Sequence, residues 1–359
     1  MSQIRPFSIA LIFLLSLVVA CGETAVPTAP VADAVPRGSR ILSMDVTEAV
    51  DGDFNAALQL AKSVGVTAVT LTVYWDEIET APGVYTPDPN WLEIANLYYP
   101  AQEMQVSLTI SVIDTDNLRL PPDLAGKPFD DSAVIARFNG LLDYVAAQLP
   151  DLTLKSLAIG NEIDIYLGTD AAQWGAYETF FMETAGHAHA LWPTLPVGSK
   201  TTFDGIAGDP APAIQSINQF SDVVLVTYYP LNADFTVREA ATVHDDFQTL
   251  TDAFPDQLIY LLEVGYPSGD GNHSSYAKQT AFIGELFVAW DTHAEQIPLV
   301  NYTWQTDMPP DAVKQMADDY HFDSPGFVSY LATLGLRTFD NADKPAFRQV
   351  ATETEARGW

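Results

Sequence analysis

From Arg40 to the C-terminus, short runs rich in Val, Ile, Leu and Thr alternate with longer stretches whose apolar positions recur at helical spacing. Eight runs predict strands, at 41–45, 68–75, 106–113, 156–162, 197–201, 223–229, 258–264 and 300–305. The stretches between them predict helices near 54–64, 90–103, 131–148, 172–192, 210–219, 237–253 and 274–292. The strand runs are nearly continuous in Val, Ile, Leu and Thr, as expected for strands covered on both faces. Pro100 interrupts LYYPAQEMQ, so the second helix is expected to end early or kink there. Eight β/α units in one chain of this length predict a single-domain (β/α)8 TIM barrel, closed by a helix near 345–352. An open dinucleotide-binding sheet is disfavoured, because the first run, Ile41–Asp45, leads into Val46-Thr47-Glu48 with no glycine-rich turn.

The N-terminus departs from this pattern. Arg5 precedes an apolar run from Phe7 to Ala20 that ends in Val18-Val19-Ala20-Cys21, too short for a comfortable membrane span. Residues 1–20 read as an export signal, and the segment resembles the bacterial lipoprotein signal. That resemblance implies acylation of Cys21, the only cysteine in the sequence, and export with lipid anchoring to the cell envelope, at the outer membrane or cell surface. Residues 21–39, rich in Ala, Pro, Val and Thr, read as a flexible tether, leaving 40–359 as the folded domain.

Formal net charge is −31. Such a surface repels phosphate and uronate, arguing against nucleic acid and polyanions and suiting a neutral ligand.

In a barrel the active site lies at the C-terminal ends of the strands, so the polar residues ending each run are the candidates. They are Asp45, Tyr74-Trp75-Asp76, Asp114-Thr115-Asp116, Asn161-Glu162, Lys200-Thr201, Tyr228-Tyr229, Glu263 and Trp304-Gln305. Glu162 and Glu263 dominate, as acids at the mouths of otherwise apolar strands. Burying a carboxylate is costly unless it is paired or functional. Opposed glutamates about 5 Å apart would let one protonate a glycosidic oxygen while the other attacks the anomeric carbon, with retention. Tyr228 and Tyr229 point to opposite faces of a continuing strand, and Tyr228 is assigned to the barrel centre. Trp304 and Trp75 offer indole faces for a pyranose. Asp45 and Asp114 could bind sugar hydroxyls, cap helices or pair with Lys200.

GNEID and LLEVGYPSG resemble the ends of strands four and seven in clan A glycoside hydrolases, and VTYYP and YTWQ fit strands six and eight. The resemblance runs from about Arg40 to the end. SMDVTEA, GNEID and VTYYP are similar to the family 53 endo-β-1,4-galactanases, and EVGYPSG to the family 17 β-1,3-glucanases. It implies Glu162 as acid/base, Glu263 as nucleophile, Asn161 on the sugar 2-hydroxyl, Tyr228 on the nucleophile and Trp304 as subsite floor. One departure stands out: clan members commonly carry a strand-two Arg supporting the nucleophile, and VTLTVYWDEIE has none, leaving Lys200 or Arg119 as substitutes.

The chemistry expected is therefore that of a retaining hydrolase of β-linked neutral poly- or oligosaccharide, without cofactor or metal. His187 and His189 are two apart in a predicted helix, and neither HExxH nor a GxSxG elbow occurs. A glycan-binding lipoprotein without turnover and a transglycosylase remain open as alternatives. The loops 165–173 and 306–320 are expected to set specificity.

Overall fold

The predicted apolar runs all form strands. The computed structural model describes Val31 and residues 34–359. The signal segment and Cys21 lie outside the described residues. The barrel strands are β1 (Ile41–Met44), β2 (Ala68–Tyr74), β3 (Gln105–Asp114) and β4 (Leu154–Asn161), followed by β5 in two pieces (Val197–Gly198 and Lys200–Thr202). β6 (Val224–Tyr228), β7 (Ile259–Val264) and β8 (Leu299–Tyr302) complete the set. All neighbours pair in parallel, and β8 returns to β1 with Ile41 opposite Leu299. The first piece of β5 pairs with β4 and the second with β6, so the strand broken at Ser199 closes the ring. The chain is a single-domain (β/α)8 barrel.

Outside lie α1 (Phe54–Ser63), α2 (Trp91–Tyr98), α3 (Ser132–Gln148) and α4 (Ala171–Leu191). They are followed by α5 (Ala211–Asn218), α6 (Thr242–Ala253), α7 (Tyr276–Thr292) and α8 (Pro345–Arg357). Side chains of Asp53, Asn90, Asp131, Asp170 and Ser275 cap the first turns of α1, α2, α3, α4 and α7, satisfying amides that lack helical acceptors. α2 stops at Tyr98, and Pro100 opens a separate 3-10 turn, because proline fits only a first turn.

Two irregularities aim the strand ends. Between β6 and β7 the register runs Val226 to Leu261 and then Thr227 to Glu263, so Leu262 is extra. This bulge turns Glu263 to the mouth while Leu262 stays in the buried interior cluster with Ala158, Leu225 and Leu299. At the end of β4, Gly160 holds φ +82, where a Cβ would lie 2.5 Å from the Tyr177 hydroxyl, so only glycine fits. Glu162 follows in the left-handed region at φ 46.

Residues 35–39, read from sequence as the end of the tether, are fastened to the barrel. The Arg40 guanidinium meets Asp291 of α7 at 2.6 Å and donates to the Val35 carbonyl, and the Arg37 amide donates to the Arg357 carbonyl of α8.

The segment after β8 is a folded roof. It holds two helices absent from the sequence-based expectation, Pro310–Asp319 and Pro325–Thr333. Lys344 clamps the two ends of this roof. Its fully buried Nζ donates to Asp307 (2.6 Å) at the start, to the carbonyls of Thr333 and Gly335 at the end, and to Ser268 after β7. Among the described residues, no helix is long and apolar enough to cross a membrane.

Candidate active site

The strand ends and the roof enclose a cavity of about 770 Å³ at the C-terminal mouth. Both glutamates line it, together with Asp45, Asp114, Asn161 and Trp304. Glu162 is held on both oxygens, since the Thr227 hydroxyl of β6 donates to Oε1 at 2.7 Å and the Thr115 hydroxyl beyond β3 donates to Oε2 at 2.8 Å. Thr227 also stands opposite Glu263 in the β6–β7 ladder, so one residue fixes the acid beside its partner strand. Burial, reinforced by the charge on Glu263, raises the Glu162 carboxyl to about 7.

Glu263 is gripped differently. Lys200 Nζ lies 2.7 Å from Oε1, and the Tyr229 hydroxyl donates to Oε2 at 2.7 Å. One contact is an ion pair and the other a hydrogen bond, so both carboxylate oxygens of Glu263 are held. Of the two cations that the sequence offered for Glu263, Lys200 on β5 is the one that reaches it. Arg119 is engaged elsewhere, with Asp76 and Glu77 and with its guanidinium 4.1 Å from the Tyr74 ring centroid.

Three residues expected at the site lie outside the cavity lining: Lys200, which meets it through Glu263, and Tyr228 and Trp75. Tyr228 faces outward, where its hydroxyl donates to Asp246 of α6 at 2.7 Å and its ring packs on Phe203 and Phe247. Leu225 and Thr227 point inward, so strand alternation brings Tyr229 in and turns Tyr228 out. The same parity corrects Trp75. Thr70, Thr72 and Tyr74 line the cavity, and Trp75, one position further, is buried against Phe138 of α3 with its indole N–H on Glu79 at 2.7 Å.

Asp45 accepts hydrogen bonds from Thr70 and from Asn301 Nδ2. Burial raises its carboxyl to about 6 against those bonds. Asp114 accepts from Asn161 Nδ2 at 2.9 Å, and burial raises it too. This leaves Asn161 Oδ1 buried without a partner among the described residues. Trp304, whose peptide bond with Thr303 is cis, lines the cavity.

Tyr74, Thr115 and Tyr229 stood among the strand-end candidates without an assigned role, and Thr227, two positions before Tyr229 on the same face, escaped the sequence reading. The roof residues Tyr320, Phe322, Phe327 and Tyr330 carried no local signal. Tyr330 packs edge-on against Tyr229, and Tyr320 reaches Asp114 at 3.5 Å. Among the described residues, no group of three or more His, Cys, Asp and Glu side chains could hold a metal.

No protein-family model matches the chain, and no curated protein matches it. Solved structures do. The exo-β-1,4-mannosidase Op5Man5 from Opitutaceae bacterium strain TAV5 superposes with TM-score 0.67 at 16% identity, covering 89% of this chain and 59% of that one. This chain thus spans little more than half the length of that mannosidase. A GH5_18 protein from Streptomyces cattleya in complex with Manb1-4GlcNAc gives TM-score 0.66 at 17% identity over 87% of this chain and 80% of that one. The Ignisphaera aggregans GH53 catalytic domain gives 0.65 at 15% identity over 92% and 99%. The likeness is one of fold. Its neighbours are glycoside hydrolases, and family 53, to which the motifs are similar, is among them.

Proposed function

We propose that this chain is a retaining glycoside hydrolase acting on β-linked neutral saccharides. The observation that carries the reading is the unequal environment of two carboxyls at one cavity. Glu162 is enclosed between two hydroxyls and raised to about 7, whereas Glu263 is paired with Lys200 and Tyr229. Two acids held in such different surroundings divide the roles of proton donor and nucleophile. Glu162 gives its proton to the leaving glycosidic oxygen as a Glu263 oxygen bonds to the anomeric carbon. Glu162, now ionised, takes a proton from water, whose oxygen displaces Glu263 and restores both groups. Asn161 Oδ1 would accept from the 2-hydroxyl, Trp304 would floor the ring, and Asp45 and Asp114 would bind further hydroxyls. The neighbours' names, an exo-β-1,4-mannosidase and a complex with Manb1-4GlcNAc, support β-linked substrates.

Export and acylation at Cys21 belong to the same proposal and rest on the signal segment. Incorporation of a labelled fatty acid, lost in Cys21→Ser, tests them. The activity is tested by incubating residues 34–359 with β-glucans, β-galactans and β-mannans. Reducing ends should appear with one class and be abolished in Glu263→Ala and Glu162→Ala. Full activity in those variants overturns the assignment, and products longer than the substrate would indicate transfer to a carbohydrate instead of water.

A further inference from the structure

The roof closes one side of the cavity and leaves the other open. Its helices Pro310–Asp319 and Pro325–Thr333 run from β8 across the mouth, and both flanks are tied down. On the β3 flank the Tyr320 hydroxyl donates to Asp114 and Asn117 Nδ2 to the Asp319 carbonyl, each at 3.5 Å. On the β6 flank Asn272 Nδ2 donates to the carbonyls of Phe235 and Gly326 at 2.8 and 2.9 Å, and Tyr330 packs on Tyr229. Exposed residues mark what stays open. Asp116 after β3, Ile165 after β4, Asp204 after β5, Asn232 and Ala233 after β6, and His321 and Phe322 in the roof's turn line the cavity and face solvent. The strand loops in this rim all belong to β3 through β6, the half of the barrel that carries Glu162.

The half that carries Glu263 has no such rim. None of the cavity residues contributed by β7, β8, β1 or β2 is exposed. Their wall is the barrel itself, since Thr70 and Thr72 lie within β2, Asp45 directly follows β1 and Thr303 directly follows β8. Beyond it, a second cavity of about 430 Å³ lies against the loops after β1 and β8 and shares no lining residue with the first. Trp304 and Met316 line the first cavity and Met308 the second, all three packed against one apolar cluster of the roof.

In the double displacement the aglycone leaves from the acid and the glycone stays on the nucleophile. The open half therefore takes the aglycone and the closed half the glycone. A polymer cut within its length must run past both carboxyls, and here its non-reducing side meets packed side chains, among which there is no void for a further ring. We infer that the chain is exo-acting and removes the terminal sugar unit from the non-reducing end of β-linked oligosaccharides. The inference rests on the hydrolase reading for its orientation, since Glu162 must be the group that meets the aglycone.

The probes are the β-1,4-linked pentasaccharides of mannose, glucose and galactose and the β-1,3-linked pentasaccharide of glucose, each labelled with a fluorophore at the reducing end. Each is used as such and with the terminal 4- and 6-hydroxyls of its non-reducing ring closed in a benzylidene acetal. In the series that reacts, the first products should be free monosaccharide and labelled tetrasaccharide. The acetal should lower kcat/KM by about tenfold or more, because added bulk is poorly tolerated in a closed, packed site. A labelled di- or trisaccharide as the first product, or capped chains cleaved as fast as plain ones, overturns the closed glycone end and leaves the hydrolase reading standing. Where no series is turned over, plain and capped chains are compared by their binding to the unaltered protein, followed by tryptophan fluorescence. Capped chains binding at least about tenfold more weakly support the closed end and count against the hydrolase reading. Equal binding of the two, or binding of neither, overturns the closed end.

Discussion

Replacing Glu162 by glutamine isolates what its burial does to the fold. In the folded chain the carboxyl ionises near 7, whereas in the unfolded chain it returns to its ordinary value of 4.5. Below 4.5 both states hold the proton and nothing is lost. As pH rises from 4.5 to 7 the unfolded chain releases it first, so stability falls by about 1.4 kcal/mol per pH unit and levels off above 7. The full loss is about 3 kcal/mol. Glutamine keeps the shape, its carbonyl accepts from one threonine, and its amide donates to the other after hydroxyl rotation. Glu162→Gln should therefore match the parent at pH 4.5 and exceed it by about 2–3 kcal/mol at pH 8, in urea unfolding followed by fluorescence. The same substitution should abolish turnover of glycosides with poor leaving groups. A stability difference that does not change with pH, or a variant weaker than the parent at pH 8, refutes the argument.

Other consequences follow from the same contacts. The alkaline limb of kcat/KM should fall through about pH 7, where the proton donor is lost, and a limb above pH 9 would contradict the acid assignment. Tyr229→Phe removes a charge-assisted bond to Glu263 and should lower kcat by about 10- to 100-fold. Tyr228→Phe loses only the bond to Asp246, so it should cost about 1–3 kcal/mol of stability and leave kcat within about twofold. Lys344→Met strands Asp307 and two roof carbonyls, and calorimetry should show a loss of about 3–5 kcal/mol.

Much of the architecture was legible because parallel strands covered on both faces are largely apolar, and most of the runs marking the barrel strands are rich in Val, Ile, Leu and Thr, VGSKT of β5 being the exception. The two glutamates were legible for the converse reason, as carboxyls ending greasy strands. What the sequence concealed was parity. Tyr228 and Tyr229 are adjacent tyrosines, and choosing between them requires knowing that Leu225 lies in the barrel interior. Trp75 fails as a sugar platform for the same reason, one step past Tyr74. The bulge at Leu262 is invisible locally, because it arises from how β6 and β7 pair. The roof was hidden for another cause. Pro310–Asp319 is amphipathic and polar on average, and its fold depends on Lys344 and the aromatic cluster far along the chain. Lys200 was one of two cations that the sequence offered as a partner for Glu263, and its 2.7 Å contact separates it from Arg119.

The central claim is that Glu263 forms a bond to the sugar and releases it with retention. Incubation with a 2-deoxy-2-fluoro β-glycoside bearing a good leaving group, followed by peptide mass spectrometry, addresses that bond directly. The account predicts one glycosyl adduct on the peptide containing Glu263, absent in Glu263→Ala, with the β-anomer appearing first in the proton spectrum of a turned-over substrate. An adduct on another residue, or an α-anomer as the first product, would contradict it.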